Sequence, residues 1–222
     1  MQLTIAEELL LIALDDKRGK LITSSNFSID FCLAGAILFD LTFKNRIILK
    51  NQELKLLSSE SINDKISDDV LKVLKDEKET HSIKYWLNTL PVNLKDLRLQ
   101  ILEELVEKEV LSKVKNRFFG IFSSNRYLSN DGQPEHEVRL RVRNIILHNH
   151  SYTLRDLMLI ALIDAADLVE EVFTALKDIK KAKTWIKDIP QSHITHEAIN
   201  DTLVEIREAV AASTSVPIII RS

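Results

Sequence analysis

Sulfur chemistry is nearly missing from this 222-residue chain, which has one cysteine, Cys32, and two methionines. A lone cysteine excludes an intrachain disulfide and fits a reducing compartment. Four glycines and four prolines leave few residues for tight turns, which points to a helix-rich globular chain. Positive charge is not in excess. The net charge of −3 gives no general reason for polyanion binding, so any basic site must be local. No apolar run approaches the ~20 residues that span a bilayer. Glu7 and Glu8 come almost at once and no basic stretch precedes Leu9, so neither a signal peptide nor a membrane span is expected. These absences predict a soluble, cytoplasmic protein. There is also no glycine-rich phosphate loop, no G-x-S-x-G elbow, no internal repeat and no low-complexity segment. Enzymatic chemistry has no motif behind it, and no cofactor is expected.

What the chain does contain is apolar helix, within a hydrophobic content of 45%. From Leu157 to Ile163 every residue is apolar, so this part of the segment Thr153 to Leu176 has no polar face and must be enclosed. The segment is read as one central helix, buried first and amphipathic after Asp164. Ile29 to Phe43 is also apolar on nearly every side and predicts a second interior helix. Thr4-Ile-Ala-Glu7 has the form of a capping box and Gly19 suits a helix stop, which sets a first helix near Ile5 to Lys17. Amphipathic helices are predicted over Ser67 to Glu79, His81 to Leu90 before Pro91, Leu94 to Glu109, Pro134 to Leu147, Ile179 to Ile189, and Ser192 to Ala212 beyond Pro190. Arg46 to Leu49 with Glu53 to Leu57 reads as a hairpin. Val110 to Lys113 with Arg117 to Phe122 reads as another, turning at Lys115-Asn116, with Ser123 to Gly132 as a polar loop. The expected fold is mainly α: a hydrophobic helix-bundle core surrounded by amphipathic helices, with small β-hairpins, in a single domain over residues 1–222.

Candidate chemistry is sparse. His193 and His196 lie three apart on a predicted helix, but no third ligand is evident, so a solvated face is preferred to a metal site. His148 and His150 fall where a helix ends and suit its carbonyl pole. Asp164 and Asp167 have no nucleophile or oxyanion donor beside them, so a hydrogen-bonding role is preferred to acid–base work. Arg139, Arg141 and Arg143, with Arg155, form the one basic cluster, read as largely outward. Guanidinium groups bind phosphate through two bonds at once. The alternative is that they only keep a surface helix soluble, their stems covering apolar neighbours. A nucleic-acid track is not expected beside Glu135 and Glu137.

Four segments in order carry a family resemblance: LTIAEELLLIALDDKRGKL (Leu3 to Leu21), LAGAILFDLTFKNRI (Leu33 to Ile47), LVEKEVL (Leu105 to Leu111) and ALIDAADLVEEVF (Ala161 to Phe173). Together they resemble the Golgi phosphoprotein 3 family. The resemblance implies a peripheral membrane adaptor, not an enzyme, that binds phosphatidylinositol 4-phosphate in a basic pocket and inserts an apolar loop into the bilayer. It begins at Leu3, without the eukaryotic members' basic amino-terminal arm, so coat recruitment through that arm is not expected. In those members the pocket uses a tryptophan before the second helix and an arginine within it. Here these positions fall on Ser25 and Ala34, so the pocket is partly lost. The closest candidates for its other basic residues are Arg139 and Arg141.

The resulting expectation is an anionic-lipid headgroup, or a membrane-protein tail, as partner. Arg139, Arg141 and Arg143, with Lys17 and Arg18, are the expected lipid-facing cations. The competing expectation is a soluble protein-interaction module without lipid binding, which uses the hairpin Val110 to Phe122 and its Phe118, Phe119 and Phe122.

Overall fold

The computed structural model describes residues 2–15, 18–22, 28–118 and 122–192, together with 204 and 208. Among these, helices dominate and the strands form three two-stranded antiparallel sheets. The amino-terminal capping box is present. In helix α1 (Ile5–Ile12) the Glu7 amide donates to Thr4 Oγ1 at 3.2 Å, and the Thr4 amide donates to Glu7 Oε2 at 2.8 Å. The helix is shorter than the pattern predicts. Leu14–Asp15 (β1) and Lys20–Leu21 (β2) pair instead, because Asp15 accepts the Gly19 amide on its carbonyl at 2.7 Å and the Arg18 amide on its carboxylate at 2.9 Å.

The interior helix α2 (Ile29–Phe43) is buried at eleven of its fifteen positions, as an apolar surface without a polar stripe requires. It packs on α1, on α4 (Ile83–Asn93) and on α7 (Leu154–Ala165), with α5 (Leu97–Glu107) beside them. Around this core lie α3 (Lys65–Asp76), α6 (Gln133–His148), the four-residue α8 (Val169–Val172) and α9 (Leu176–Ser192). The predicted central helix is broken: α7 ends at Ala165, and Asp167, at φ 56°, turns the chain into α8. Pro91 and Pro190 lie inside α4 and α9, not at boundaries. Pro91 stands in the last turn of α4, where it forfeits one amide-to-carbonyl bond and the helix ends two residues later at Asn93.

Strands β3 (Ile47–Lys50) and β4 (Glu53–Leu56) form the first predicted hairpin, turning through Asn51 and Gln52 at positive φ. The second is longer than predicted. β5 (Leu111–Phe118) pairs with β6 (Phe122–Ser129) from Leu111↔Ser129 to Phe118↔Phe122, so Lys115 and Asn116 lie within a strand and most of the predicted polar loop is β6. The helix predicted over Ser192 to Ala212 and the tail after it lie outside the described residues, apart from 204 and 208.

One buried polar contact joins the two core helices. The Ile5 amide, at the positive end of α1, donates to Asp40 Oδ2 of α2 at 2.8 Å. Burial raises the Asp40 carboxyl from 3.8 to about 6, and the Ile5 amide and the charge of Arg155 only partly oppose it. A carboxyl raised in the folded state binds more protons there than in the unfolded chain, so its contribution is full at low pH and is lost as pH rises through 3.8 to 6. Glu104, raised to about 7 mainly by burial and then by Asp64 and Glu7, acts in the same direction. Asp40→Asn keeps an acceptor for Ile5 without the charge. It is expected to raise stability at pH 8 by roughly 2 kcal/mol and to change it little at pH 4. Urea unfolding of both forms at the two pH values measures this.

Candidate functional site

The structure brings Arg141 and Arg155 together on Glu8 and puts Arg139 and Arg143 on the carbonyls of α8, with their guanidinium groups bonded within the protein. Arg141 donates to Glu8 Oε2 at 2.8 Å, and Arg155 donates to the same oxygen at 2.7 Å. Arg155 also reaches the Leu3 carbonyl at 2.8 Å. Asp156 Oδ1 lies 3.0 Å from Arg141 Nε as an ion pair, though its angle is too poor for a hydrogen bond and that buried nitrogen has no other partner. Arg139 donates to Glu135 at 2.5 Å, to the Ile12 carbonyl at 3.4 Å and to the Glu171 carbonyl. Arg143 donates to the Val172 carbonyl at 2.5 Å. Three of the carbonyls belong to the last turns of α1 and α8, where a cation meets the negative pole of a helix. The arginine helix α6 is thereby tied to α1, α7 and α8. Arg139, Arg141 and Arg155 face Glu135, Glu8 and Asp156, so their charges are balanced at close range.

At the other predicted pocket position, Ala34 is fully buried within α2, and Ser25 lies outside the described residues. A cation does stand at that end of α2. Arg98, at the start of α5, grips Asp30 with Nε to Oδ1 at 2.5 Å and Nη2 to Oδ2 at 2.8 Å. This two-pronged pair links residues 68 apart in sequence, and sequence reasoning passed over it. Its only trace is an arginine in the first turn of one helix and an aspartate in the first turn of another.

The largest one-signed feature is the β5–β6 hairpin. Between Leu111 and Ser129 there is no aspartate or glutamate, while Lys113, Lys115, Arg117 and Arg126 are all present. Each strand has eight residues, a reach of ~27 Å at the usual rise. Its two strands are joined through the apolar sequence Phe118-Phe-Gly-Ile-Phe122, of which residues 119–121, Phe119 among them, lie outside the described residues. Its base is anchored on both sides. On one, Glu103 of α5 accepts Lys113 Nζ at 2.5 Å and the Tyr127 hydroxyl at 2.8 Å, and the Lys113 bond is the main cause that holds the Glu103 carboxyl below its ordinary range. On the other, the β1–β2 turn docks on β6: the Tyr127 amide donates to the Gly19 carbonyl at 2.9 Å, and Arg126 Nε to the Arg18 carbonyl at 2.6 Å. Arg18 is therefore next to Arg126, its side chain 79% exposed and only loosely paired with Asp15 at 3.7 Å. Lys17 lies outside the described residues.

Gly19 makes this docking possible. It holds φ +60°, and a Cβ there would lie 2.8 Å from the Tyr127 carbonyl oxygen. Gly19→Ala is expected to cost about 2 kcal/mol and to free the Arg18 turn from β6, since strained backbone and a backbone clash add. Thermal unfolding combined with amide exchange at Tyr127 checks both parts.

The remaining candidates stay quiet. Asp164 and Asp167 stand at the end of α7, where the Asp167 amide closes onto the Asp164 carbonyl at 3.0 Å. His148 ends α6, as expected, with ring centroids 6.3 Å from His150. His193 and His196 lie outside the described residues. Among the described residues no three metal-ligating side chains converge, and no helix is long and apolar enough to cross a membrane. A protein-family model described as Golgi phosphoprotein 3 (GPP34) matches residues 5–206.

Proposed function

This chain belongs to the Golgi phosphoprotein 3 family, and we propose that it works as a non-enzymatic, cytoplasmic peripheral membrane protein that docks reversibly on anionic lipid. The observation that carries this reading is the β5–β6 hairpin: a stretch without acid that carries Lys115, Arg117 and Arg126 beyond Lys113, which is paired with Glu103 at the base, and an apolar sequence between its strands. Each lysine or arginine near an anionic leaflet contributes about 1 kcal/mol, and an apolar tip adds burial in the headgroup boundary. Arg18, held beside Arg126, belongs to the same basic edge, with Lys17 next to it in sequence. Of the α6 arginines, Arg143 bonds the Val172 carbonyl and not a carboxylate, so it keeps more of its charge for a headgroup. Arg139 and Arg141 act mainly as interhelix clamps.

The phosphoinositide pocket of the family is weakened in this reading. Ala34 provides no charge inside α2, and Arg98 at the mouth of that helix is engaged by Asp30. Recognition then depends more on surface charge than on one headgroup. Flotation with vesicles of neutral phosphatidylcholine, of added phosphatidylserine and of added phosphatidylinositol 4-phosphate tests this. Binding is expected to both anionic mixtures, to fall with salt, and to be absent on neutral vesicles. If nothing floats even at low salt while a soluble partner is recovered in pulldown, the lipid reading fails and the hairpin is a protein-interaction element.

A further inference from the structure

Helix α9 has a use that the lipid reading does not absorb. It carries five lysines, Lys177, Lys180, Lys181, Lys183 and Lys187, against Asp178 and Asp188. Its buried side holds Ala182 and Ile186 in the core, and its outer side opens onto a shallow groove of about 410 Å³ whose lining among the described residues is Lys177, Lys180, Lys181, Thr184, Trp185 and Asp188. Those six positions follow helical spacing and make one stripe. Trp185 is half-buried with its ring edge-on to Tyr152, at 5.9 Å between centroids and 88° between planes. An amphipathic tip on a rigid aromatic, ringed by cations, is chemistry suited to a partner that is both acidic and apolar.

The position of the groove favours protein over membrane. Lys181 donates to the Leu147 carbonyl at 2.8 Å, so the groove lies at the carboxyl end of α6. The base of the lipid-facing hairpin enters the other end of that sixteen-residue helix, ~24 Å away along its axis. From Lys177 to Asp188 the stripe runs ~16 Å, the length of about five extended residues. A nucleic-acid backbone would need a longer track, and the acidic whole chain would repel it.

We infer that the α9 groove docks a short acidic segment of a partner protein, with carboxylates on Lys177 and Lys180 and one apolar side chain against Trp185. The contact is weak and salt-sensitive, because its cations are exposed. A glutamate-rich octapeptide carrying one phenylalanine serves as the probe, with Trp185 fluorescence as the readout. Trp86, the chain's other tryptophan, is 3% exposed and contributes a constant background. Titration of the full chain at low salt is expected to give a saturable change, weakened about tenfold or more by Lys177→Glu with Lys180→Glu. It is expected to be unchanged by Lys115→Glu with Arg117→Glu in the hairpin, which separates this proposal from the lipid reading. No response, as a groove filled by the chain's own residues 193–222 would give, overturns it. So does a Trp185 response to phosphatidylserine vesicles in place of the peptide.

Discussion

Glu8→Ala is expected to lower the unfolding free energy by about 3–5 kcal/mol, the range found when one partner of a buried ion pair is removed and the other is left charged. Glu8 is 4% exposed, and its Oε2 takes bonds from Arg141 at 2.8 Å and Arg155 at 2.7 Å. At Arg155 the buried Asp40 feels the guanidinium charge but forms no ion pair with it, so it offsets only part of the loss. Asp156 lies within ion-pair reach of Arg141 but without hydrogen-bond geometry, so it returns only part of the loss. Glu8→Gln keeps the shape and one acceptor, and its cost should fall between those of wild type and Glu8→Ala. In a double-mutant cycle, Arg155→Ala added to Glu8→Ala should cost much less than the sum of the two changes, because both remove the same contact. Urea midpoints at constant slope measure all three. A loss below about 1 kcal/mol for Glu8→Ala would mean that these ion pairs behave as exposed ones and that the clamp is not structural.

The second large effect belongs to the hairpin. Lys115→Glu with Arg117→Glu should reduce affinity for phosphatidylserine vesicles between roughly 30-fold and 1000-fold. Loss of two cations removes about 2 kcal/mol, and reversing their sign up to doubles that. Lys115 is exposed, and both residues lie on a strand whose pairing is carried by the backbone, so folding should survive. The contrasting variant is Arg139→Ala with Arg141→Ala, expected to lower the unfolding midpoint clearly while changing vesicle affinity less than about threefold, since its charges are already spent on Glu135 and Glu8. Reversed sensitivities would return the lipid contact to α6.

How much of this was legible in the sequence follows from the range of each interaction. The capping box at Thr4 and Glu7 is a local code four residues long, and it reads correctly. The interior helix Ile29–Phe43 announces itself by having no polar face. The family resemblance was readable from four ordered segments, and the family match extends it over residues 5–206. Long-range pairing was not legible. Arg141 and Glu8 are 133 residues apart and Arg98 and Asp30 are 68 apart, so nothing local separates a solvated arginine from a clamping one. Alternation misled at Lys115-Asn116, a polar dipeptide that resembles a turn but lies in a projecting strand with little core to alternate against. Prolines misled twice because Pro91 and Pro190 each sit two residues before the end of a helix, which runs through them at the loss of one amide bond and does not stop before them. The absence of acid from the hairpin was visible all along. Only the fold shows that its strands pair over their full length and that Arg18 stands beside them.

The most direct test of the account puts an environment-sensitive dye on Ser124→Cys, near the hairpin's end. Cys32 is fully buried and its thiol is pushed far above its ordinary range by burial, so labelling is confined to the new site. On phosphatidylserine vesicles the dye emission is predicted to shift to the blue and gain intensity, and to be reversed by high salt. A dye that stays in water while the protein floats with the same vesicles would contradict the account, because the chain would then be meeting the membrane through another surface.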